Sequence, residues 1–389
     1  MNLNGNEKVT DKNMIIGKTK FLQLFENEPL QLECGRTLSP VTVAYQCYGK
    51  LNESCDNVIL ICHALTGNAH AAGIQAELES DPVSEYDFLH SYTKMNLGKP
   101  GWWDGLIGPG KTFDTNRYFV VCPNILGSCY GTTGPSSINP VTGKSYNKDF
   151  PTVTVRDMVR LQYEFLKAIG VKKIAAISGG SLGGMQVFEW AVMYPDFVER
   201  IFPVATSVYN SAWAIALNVP ARQAIMNDPV FNGGAYTEQP EKGLAVARML
   251  GMISYRSNVS YNRKFGRELS GAEDAGNMNN RFAIQSYLNY QGQKLVNRFD
   301  ANTYLCVTNA TDLHDLSRDR GKMEDVLGCI KAKTVCIGIS SDVLYPADEM
   351  KQYASLIPGA EYAEIISEVG HDAFLIEFEQ MYNIITPYL

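Results

Sequence analysis

One short segment, Gly179-Gly180-Ser181-Leu182-Gly183, restricts the possible folds of this chain more than any other part of its sequence. The segment follows the apolar run 173–177 and precedes a helical pattern over 185–194. Glycines on both sides of a serine let a strand and a helix approach closely while the serine occupies a strained turn. The order of strand, sharp turn and helix predicts a nucleophile elbow, in which Ser181 forms an acyl-serine, rather than a plain glycine-rich connector.

Short apolar runs rich in valine and isoleucine alternate with helical patterns through most of the chain. Strands that are buried on both faces of a sheet have this composition. The runs cover 41–46, 58–62, 118–122, 173–177, 201–205, 334–339 and 362–366. Between them, apolar residues over 155–169 recur at helical spacing, and Gly170 can end that helix. The alternation predicts an α/β fold with a mostly parallel sheet that helices cover on both sides.

The alternation stops between residues 207 and 323, where strand-like runs are few. The clearest patterns in this stretch are helical and cover 239–252 and 281–298. We expect this insertion to lie as a lid over the carboxyl ends of the strands. The sequence therefore predicts three parts: 1–206 as the first part of the core, 207–323 as the helical lid, and 324–389 as the second part of the core.

Composition narrows the class of protein and its partners. Among 389 residues, 45% are hydrophobic and 19% charged, which is typical of a globular protein. The net charge of −7 argues against nucleic acid or an anionic membrane as the main partner. No apolar stretch is long enough to span a bilayer, and residues 1–20 lack the apolar core of a signal peptide. Nine cysteines without a C-x-x-C pair are typical of reduced thiols, so we expect a cytoplasmic protein.

Two other kinds of site are disfavoured. Residues 105–112 match the phosphate-loop pattern G-x-x-x-x-G-K-T, but no strand pattern precedes them and no helix pattern follows them, so the match does not indicate nucleotide hydrolysis. The match overlaps the end of a stretch, 89–110, that we expect to form a long loop carrying Trp102 and Trp103. The sequence has no H-E-x-x-H motif and no cysteine–histidine cluster with metal-ligand spacing, so no metal site is predicted.

A serine nucleophile needs an adjacent base, which is usually histidine. In a strand–turn–helix arrangement of this kind, the order along the chain is serine, acid, histidine. Of the five histidines, only His314 and His371 come after Ser181. His314 lies within the helical insertion, whereas His371 follows a glycine shortly after the last predicted strand. We therefore predict that His371 is the base.

The acid is expected after the preceding predicted strand, 334–339. Asp342 is the first carboxylate there, and Pro346 closes the turn that follows it. Asp348 and Glu349 come next, but they have the position of acids in the first turn of a helix. We therefore predict that Asp342 orients the base.

The tetrahedral intermediate of acyl transfer needs an oxyanion hole. One donor is expected to be the backbone N–H of Leu182, which directly follows the nucleophile. The second should come from residues 63–67, His-Ala-Leu-Thr-Gly, which follow the apolar run 58–62. Within that loop we predict the N–H of Leu65 as the donor and a purely structural role for the His63 ring.

Beyond these motifs, the sequence resembles the homoserine O-acyltransferases of the α/β-hydrolase superfamily from about residue 20 to its end. Together, the matching segments are far more specific than Gly-x-Ser-x-Gly alone. They are 63–67, 101–104, 124–127, 133–140, 179–186, 247–248, 255–257, 290–292, 297–302 and 370–375. The resemblance implies the α/β-hydrolase fold with a helical lid insertion.

The resemblance also implies a reaction. Proteins of this family transfer an acyl group from acyl-CoA, a co-substrate, to the side-chain hydroxyl of L-homoserine in methionine biosynthesis, without a further cofactor. For this chain the resemblance implies that Ser181, Asp342 and His371 are the catalytic triad of a ping-pong mechanism through an acyl-serine. It also suggests a homodimer that forms through the helical insertion.

Two substrate-binding roles follow from the same resemblance. Asp372, directly after the predicted base, matches an acid of the family, and Arg248 matches a substrate-binding arginine of the insertion, with Arg256 as the alternative. The chemistry agrees, because a guanidinium binds a carboxylate through a planar fork and a carboxylate pairs with an ammonium group. Position 130 varies in the family, so Tyr130 does not indicate which acyl group is preferred.

Three questions stay open from the sequence. Acetyl is the expected acyl group and succinyl the alternative, since no cation for a succinyl carboxylate can be placed. Serine is an alternative acceptor, because the methylene that distinguishes it from homoserine changes binding by only about 1–3 kcal/mol. An ester hydrolase could use the same triad, and a transferase differs from it in keeping water from the acyl-enzyme.

Overall fold

The computed structural model of the protein describes residues 15–78, 88–270 and 281–389, and its centre is an eight-stranded sheet. In chain order the strands are β1 (Lys20–Leu24), β2 (Val41–Tyr48), β3 (Val58–Cys62), β4 (Phe119–Pro123), β5 (Ile174–Gly180), β6 (Arg200–Val204), β7 (Lys333–Ile339) and β8 (Glu361–Ile365). Across the sheet they lie in the order β8-β7-β6-β5-β3-β4-β2-β1.

Most of the sheet is parallel. The six strands from β8 to β4 run parallel to their neighbours, and β2 is antiparallel to both β4 and β1. In the middle, Ile59 of β3 pairs with Val120 of β4 and with Ala176 of β5. All five residues of β3 are buried, which accounts for its continuous apolar sequence. Each of the seven predicted strands is present, and the predicted mostly parallel sheet is confirmed.

The edge strand β1 is absent from the predicted strands. It pairs antiparallel with β2, with Lys20 opposite Tyr45 and Leu24 opposite Val41. Its residues, Lys-Phe-Leu-Gln-Leu, are exposed or half-buried, because an edge strand has a neighbour on one side only. A partly solvated strand does not need a continuous apolar run, so the pattern that identifies the buried strands does not reveal it.

Helices cover both faces of the sheet. They are α1 (Phe88–Asn96), α2 (Val155–Ala168), α3 (Leu182–Met193), α4 (Ala212–Met226), α5 (Glu241–Ser254), α6 (Asn258–Phe265), α7 (Ala283–Val296), α8 (Ala301–Asp312), α9 (Met323–Gly328), α10 (Ala347–Leu356) and α11 (Phe378–Ile385). Side chains of β3 alternate between two cores. Leu60 and Cys62 belong to the core shared with α2, α3 and α10, whereas Ile59 and Ile61 belong to the core shared with α11.

The start of α2 shows how local sequence sets a helix boundary. The Thr154 hydroxyl accepts a hydrogen bond from the Asp157 amide, and the Asp157 carboxylate accepts one from the Thr154 amide. This capping box satisfies amides that have no partner inside the helix. Beyond the other end, Gly170 has a φ of 89°, a left-handed conformation that ends helices. The predicted helix over 155–169 is confirmed.

Between β6 and β7 the described residues form the α-helices α4 to α9 and contribute no strand to the sheet. The predicted helical patterns 239–252 and 281–298 correspond to α5 and α7. Helix α5 packs against both α4 and α7, and most of α8 is buried. The boundaries of the predicted parts 1–206, 207–323 and 324–389 stay predictions.

One expectation about the chain between the strands is wrong. The stretch 89–110 does not form a long loop, because α1 occupies its first residues and the two-residue strand Ile107–Gly108 lies near its end. Trp103 is fully buried in the core that includes α11, and its indole N–H donates to the Phe374 carbonyl at 3.0 Å. In the described ranges, no helix is long and apolar enough to cross a membrane.

Candidate active site

Ser181 lies in the turn between β5 and α3, as the motif predicts. Its φ of 58° and ψ of −126° are a conformation that non-glycine residues rarely adopt. The glycines around it have no room for a side chain. A Cβ on Gly183 would lie 2.1 Å from the carbonyl oxygen of Cys62, and one on Gly179 would lie 2.7 Å from the same oxygen. The glycines are therefore required by the close approach of β3, β5 and α3.

The structure brings His371 and Asp342 together. Both residues follow the carboxyl ends of adjacent parallel strands, β8 and β7, and both are buried. His371 Nδ1 lies 2.7 Å from Asp342 Oδ2. Asp342 Oδ1 accepts hydrogen bonds from the amides of Leu344 at 2.8 Å and Tyr345 at 3.0 Å. The carboxylate is thus fixed on one oxygen and orients the imidazole with the other.

The position of His371 depends on the residue before it. Gly370 has a φ of 96°, and a Cβ there would lie 2.6 Å from the amide nitrogen of Ser257. The imidazole is packed against the rings of Tyr255, Tyr345 and Phe374, with ring centroids 5.5–5.9 Å away. The Gly-His step therefore places the ring among three aromatic rings.

The charges around His371 raise its pKa. Burial alone would lower the pKa of the imidazole, but the negative charge of Asp342, its hydrogen bond and the charge of Asp372 outweigh burial. The pKa of His371 therefore lies above its usual value. A base of this kind binds a proton readily, which suits general base catalysis near neutral pH.

Ser181 and His371 line one cavity of about 240 Å³, which we call the main cavity. Its lining comprises Ala64, Leu65, Thr66, Gly67, Tyr92, Trp102, Ser181, Arg248, Tyr255, Arg298, His371, Asp372, Phe374 and Leu375. A second cavity of about 30 Å³, the small cavity, also touches Ser181, Leu65 and Tyr255 and extends towards Leu217 and Leu344. Residues of the helical insertion thus share the walls of both cavities with residues of the core.

The two predicted oxyanion donors lie at this site. Leu65 lines both cavities, and Leu182 lines the small cavity beside Ser181. Leu182 is the first residue of α3, where backbone N–H groups have no carbonyl partner inside the helix. An N–H group at a helix N-terminus stabilises negative charge. The roles of Leu65 and Leu182 stay predictions that this arrangement favours.

The other two histidines of interest have no place in this arrangement. The His63 ring is fully buried, accepts a hydrogen bond from the Ile125 amide at Nε2, and lies 2.8 Å from the Ala64 carbonyl at Nδ1. Burial lowers the pKa of His63 to about 4, so the ring is neutral and serves the loop structure, as predicted. His314 is buried away from both cavities, and burial lowers its pKa to about 3.

The candidate substrate-binding residues divide into two groups. Arg248 and Asp372 line the main cavity together with Ser181. Arg256 is not part of that lining, and its Nε lies 3.3 Å from Asp372 Oδ2 as an ion pair. Burial raises the pKa of Asp372, although the positive charges of Arg256, His371 and Arg248 oppose this effect. The geometry therefore favours Arg248 over Arg256 as a residue that contacts a ligand.

Several residues of the main cavity have no predicted role. Arg298 lies in the matching segment 297–302, but the segment alone does not distinguish a cavity residue from a surface one. In the structure its Nη1 donates to the carbonyl of Thr66 at 3.1 Å and to the hydroxyl of Tyr130. Tyr130 is therefore a buried support of Arg298. In the sequence Arg298 stands between Asn297 and Phe299, and apart from its place in segment 297–302 no signal identifies it.

The described residues contain no cluster of side chains that could bind a metal ion. No group of three or more histidine, cysteine, aspartate or glutamate residues lies there in a position to hold an ion. The chemistry available at the site is instead that of a serine on the same cavity as a buried imidazole–carboxylate pair, an arginine and an aspartate.

Sequence comparison relates this chain to known enzymes. A family profile described as the alpha/beta hydrolase fold matches residues 57–378. The homoserine O-acetyltransferase of Carboxydothermus hydrogenoformans is 48% identical over 368 residues, which cover 92% of each chain. The homoserine O-acetyltransferase of Moorella thermoacetica is also 48% identical, over 92% of this chain and 93% of its own.

Solved structures show the same relationship. The crystal structure of homoserine O-acetyltransferase from Bacillus anthracis matches with a TM-score of 0.84 and 32% identity, over 96% of this chain and 98% of that one. The crystal structure of esterase E22 matches with a TM-score of 0.83 and 28% identity, over 96% of this chain and 99% of that one. By sequence and by structure, this chain belongs to the homoserine O-acetyltransferase family of the α/β-hydrolase fold.

Proposed function

We propose that the protein transfers an acetyl group from acetyl-CoA to the hydroxyl of L-homoserine, in methionine biosynthesis. One observation carries the proposal: Ser181 and His371 share a cavity with Arg248 and Asp372, so that an acyl-serine would face groups suited to an α-amino acid. The identity of 48% to two homoserine O-acetyltransferases supports the same reaction. The reaction needs no cofactor besides acyl-CoA as co-substrate, and neither a metal nor a nucleic acid takes part.

The first half-reaction acylates the enzyme. The neutral imidazole of His371 accepts the proton of Ser181 while Oγ attacks the thioester carbonyl carbon. The negative oxygen of the tetrahedral intermediate is stabilised by the N–H groups of Leu65 and Leu182. When the intermediate collapses, the carbon–sulfur bond breaks and the imidazolium returns its proton to the CoA sulfur. Asp342 stabilises the imidazolium throughout.

The second half-reaction transfers the acetyl group. Arg248 binds the carboxylate of homoserine, and Asp372 pairs with its ammonium group. His371 then accepts the proton of the homoserine hydroxyl, whose oxygen attacks the acetyl carbonyl. The bond to Ser181 Oγ breaks, the serine regains a proton, and O-acetylhomoserine leaves. Arg256 contributes through its ion pair with Asp372, which fixes the carboxylate.

The small cavity supports acetyl rather than succinyl as the acyl group. It holds about 30 Å³ beside Ser181, and its lining, which includes Leu65, Leu217 and Leu344, contains no charged residue. A succinyl group would bring a carboxylate that finds no cation there, and burying an unpaired charge is costly. An acetyl methyl group has no such requirement.

An ester hydrolase is the second candidate, because esterase E22 shares this architecture over almost its whole length. The test is a matrix of acetyl-CoA and succinyl-CoA against homoserine, serine and water, with CoA release as the readout. We expect release that depends on acetyl-CoA and homoserine together, with parallel lines in initial-rate plots. Release that is independent of homoserine would support the hydrolase, and intersecting lines would contradict the acyl-serine route.

The pH dependence of acylation is expected to reflect His371. The rate should rise with pH, because only the neutral imidazole can accept the serine proton. Since the pKa of His371 is raised, the midpoint should lie above 6.5. Asp372→Asn removes one of the negative charges that raise this pKa, so the midpoint should move to lower pH. The measurement is the burst rate of CoA release, and an unmoved midpoint in Asp372→Asn would contradict this assignment.

Arg248→Ala is expected to impair the second half-reaction more than the first. The donor reaches Ser181 without an amino-acid clamp, whereas homoserine needs its carboxylate held for its hydroxyl to approach the acetyl group. Loss of the guanidinium should cost about 2–4 kcal/mol in that step. The measurement is single-turnover acylation, followed by decay of the acyl-enzyme after addition of homoserine.

Arg256→Ala is the matched comparison. It removes the ion pair of Asp372 and should give a smaller loss in the same step, with acylation again near the wild-type rate. Equal loss of both half-reactions in Arg248→Ala would show that Arg248 is structural or contacts the donor. If only Arg256→Ala slowed decay of the acyl-enzyme, the clamp would be Arg256.

The protein acts, in this proposal, as a cytoplasmic homodimer that forms through the helical insertion. Support comes from apolar side chains that α4 and α5 expose by 41–55% of their area: Trp213, Val219, Met226, Val246 and Ile253. Apolar residues concentrated on two packed helices mark a surface that associates with another protein. Sedimentation equilibrium should give twice the monomer mass, and Val219→Glu should lower it. A monomer at all concentrations would contradict the homodimer.

A further inference from the structure

Two arginines of the main cavity have no carboxylate partner. Within the described residues, no carboxylate oxygen lies within 4.0 Å of the guanidinium nitrogens of Arg248 or Arg298. Arg222 and Arg256, also in the helical insertion, have ion-pair partners. An arginine that lines a cavity without a protein carboxylate is available to an anionic ligand. Homoserine, the proposed acceptor, has one carboxylate, and we propose that Arg248 binds it. Arg298 therefore has no anionic partner in the acceptor.

Arg298 is held in place on one edge only. Its Nη1 donates to the Thr66 carbonyl and to the Tyr130 hydroxyl, and the guanidinium lies 5.7 Å from the centre of the Tyr92 ring. Its Nε and Nη2 donate to no acceptor among the described residues. Neither atom is among the buried polar atoms that lack a partner, so both reach solvent. These two nitrogens are therefore accessible while the rest of the group is fixed. A guanidinium fixed in this way has little entropy to lose on binding an anion.

Two exposed lysines are close in the chain to residues that line the main cavity. Lys294 is exposed in the last turn of α7, four residues before Arg298, and Lys99 is exposed three residues before Trp102, which also lines the main cavity. The pKa of Lys294 lies below its usual value, because partial burial and the positive charges of Arg298, Lys99 and Arg248 disfavour its ammonium form. The positive charges of Arg248, Arg298, Lys294 and Lys99 thus act on one another in a protein whose net charge is −7. Such a cluster repels itself unless an anion joins it.

We infer that Lys99, Lys294 and Arg298 form a phosphate-binding site at the mouth of the main cavity, which holds phosphate groups of the acyl-CoA donor. This assignment rests on the proposed function, because it identifies the anion as the part of the donor that stays outside the cavity. The thioester must reach Ser181, and the diphosphate and ribose phosphate lie at the opposite end of a long flexible arm. Ammonium groups at the surface and a fixed guanidinium further in suit several separated phosphates.

The cluster also accounts for how an acidic protein attracts a polyanion. A donor with several phosphates is repelled by the overall charge of −7 at long range. A local positive surface at the entrance reverses that effect within about a Debye length, roughly 8 Å at physiological salt. Binding through these lysines should therefore weaken with salt, and the dependence should be smaller without them.

The test compares donors with and without phosphates. Lys294→Ala and Lys99→Ala should each raise the KM for acetyl-CoA about fivefold, with kcat unchanged, because each removes one solvent-exposed ionic contact. Acetyl-pantetheine has the same thioester but no phosphate, and its kcat/KM should be the same in wild type and both variants. Its turnover also shows that each variant is folded. The salt dependence of the KM for acetyl-CoA should decrease in each variant.

Lys351→Ala is the control, since it removes an equally exposed lysine from α10 and changes the net charge by the same amount. It should leave the KM for both donors unchanged. An unchanged KM for acetyl-CoA in Lys294→Ala and Lys99→Ala would overturn the phosphate site while the proposed function stands. Equal losses with acetyl-CoA and acetyl-pantetheine would also overturn it. A wild-type protein that releases no CoA from acetyl-CoA would overturn the proposed function itself, and the phosphate site with it.

Discussion

Ser181→Ala is expected to abolish acyl transfer, with a loss of at least about 10⁴-fold in the release of CoA. The reason is that no acyl-enzyme can form without Oγ. The fold should be retained, because alanine keeps the Cβ that already occupies the φ of 58°, and the Thr206 hydroxyl still donates to the carbonyl of residue 181. Intact-mass analysis after addition of acetyl-CoA should show one added acetyl group on the wild type and none on the variant.

Ser178→Ala is the matched control for this change. Ser178 is also buried and lies in β5, three residues before Ser181, and its hydroxyl donates to the Phe202 carbonyl at 3.1 Å. Its replacement removes one serine hydroxyl close to Ser181 in the chain, and activity should stay near wild type. Peptide mapping should locate the acetyl group on Ser181. A label on another residue, or acetylation of Ser181→Ala, would exclude the acyl-serine mechanism at this position.

Asp342→Asn is expected to lower turnover by about 10⁴-fold. Asp342 Oδ1 accepts hydrogen bonds from the amides of Leu344 and Tyr345, so the oxygen of an asparagine would stay on that side. The NH₂ group would then face His371 Nδ1 and donate to it. That contact places the remaining imidazole proton on Nε2, the atom that must accept the proton of Ser181. The imidazole would therefore have the wrong tautomer as well as no counter-charge.

Asp348→Asn provides the comparison for the acid. Asp348 lies in the first turn of α10, where it interacts favourably with the helix dipole, and the structure shows no contact between it and His371. Its replacement should change turnover by less than about twofold. Turnover with saturating substrates and the thermal midpoint of each variant should be measured together. Similar losses at both positions, with unchanged stability, would mean that Asp342 has no special role.

The buried strands of the fold can be predicted from the sequence, whereas two exposed elements, β1 and α1, cannot. The strands from β2 to β7 are predicted because their buried residues form apolar runs, as in the five residues of β3. The other edge strand, β8, is predicted because Tyr362, Ala363 and Ile365 give it a short apolar pattern, although it is mostly exposed or half-buried. β1 and α1 are missed for the opposite reason. β1 is half-solvated at the sheet edge, and only Leu89 and Thr93 of α1 are buried. A segment with so little buried area carries no strong periodic pattern.

The proposed catalytic residues could be predicted because chain order and turn geometry define them. The elbow identifies Ser181, and the order of acid and histidine after successive strands identifies Asp342 and His371. Substrate-binding residues are harder, because their roles depend on which residues face the same cavity. Arg248 and Arg256 are equivalent in the sequence and differ only in the structure, where Arg256 pairs with Asp372. Arg298 has no sequence signature of its own.

The glycine contact at the elbow has a consequence for how this architecture can change its chemistry. A side chain at Gly183 would meet the carbonyl of Cys62, the last residue of β3, from which the loop with Leu65 begins. The spacing between the proposed nucleophile and the loop of the proposed oxyanion donor is therefore set by contact between two backbone segments. Walls built from side chains of the insertion can be replaced without altering that spacing. A transferase and an esterase can for this reason share one reacting centre and differ only in what they admit to it.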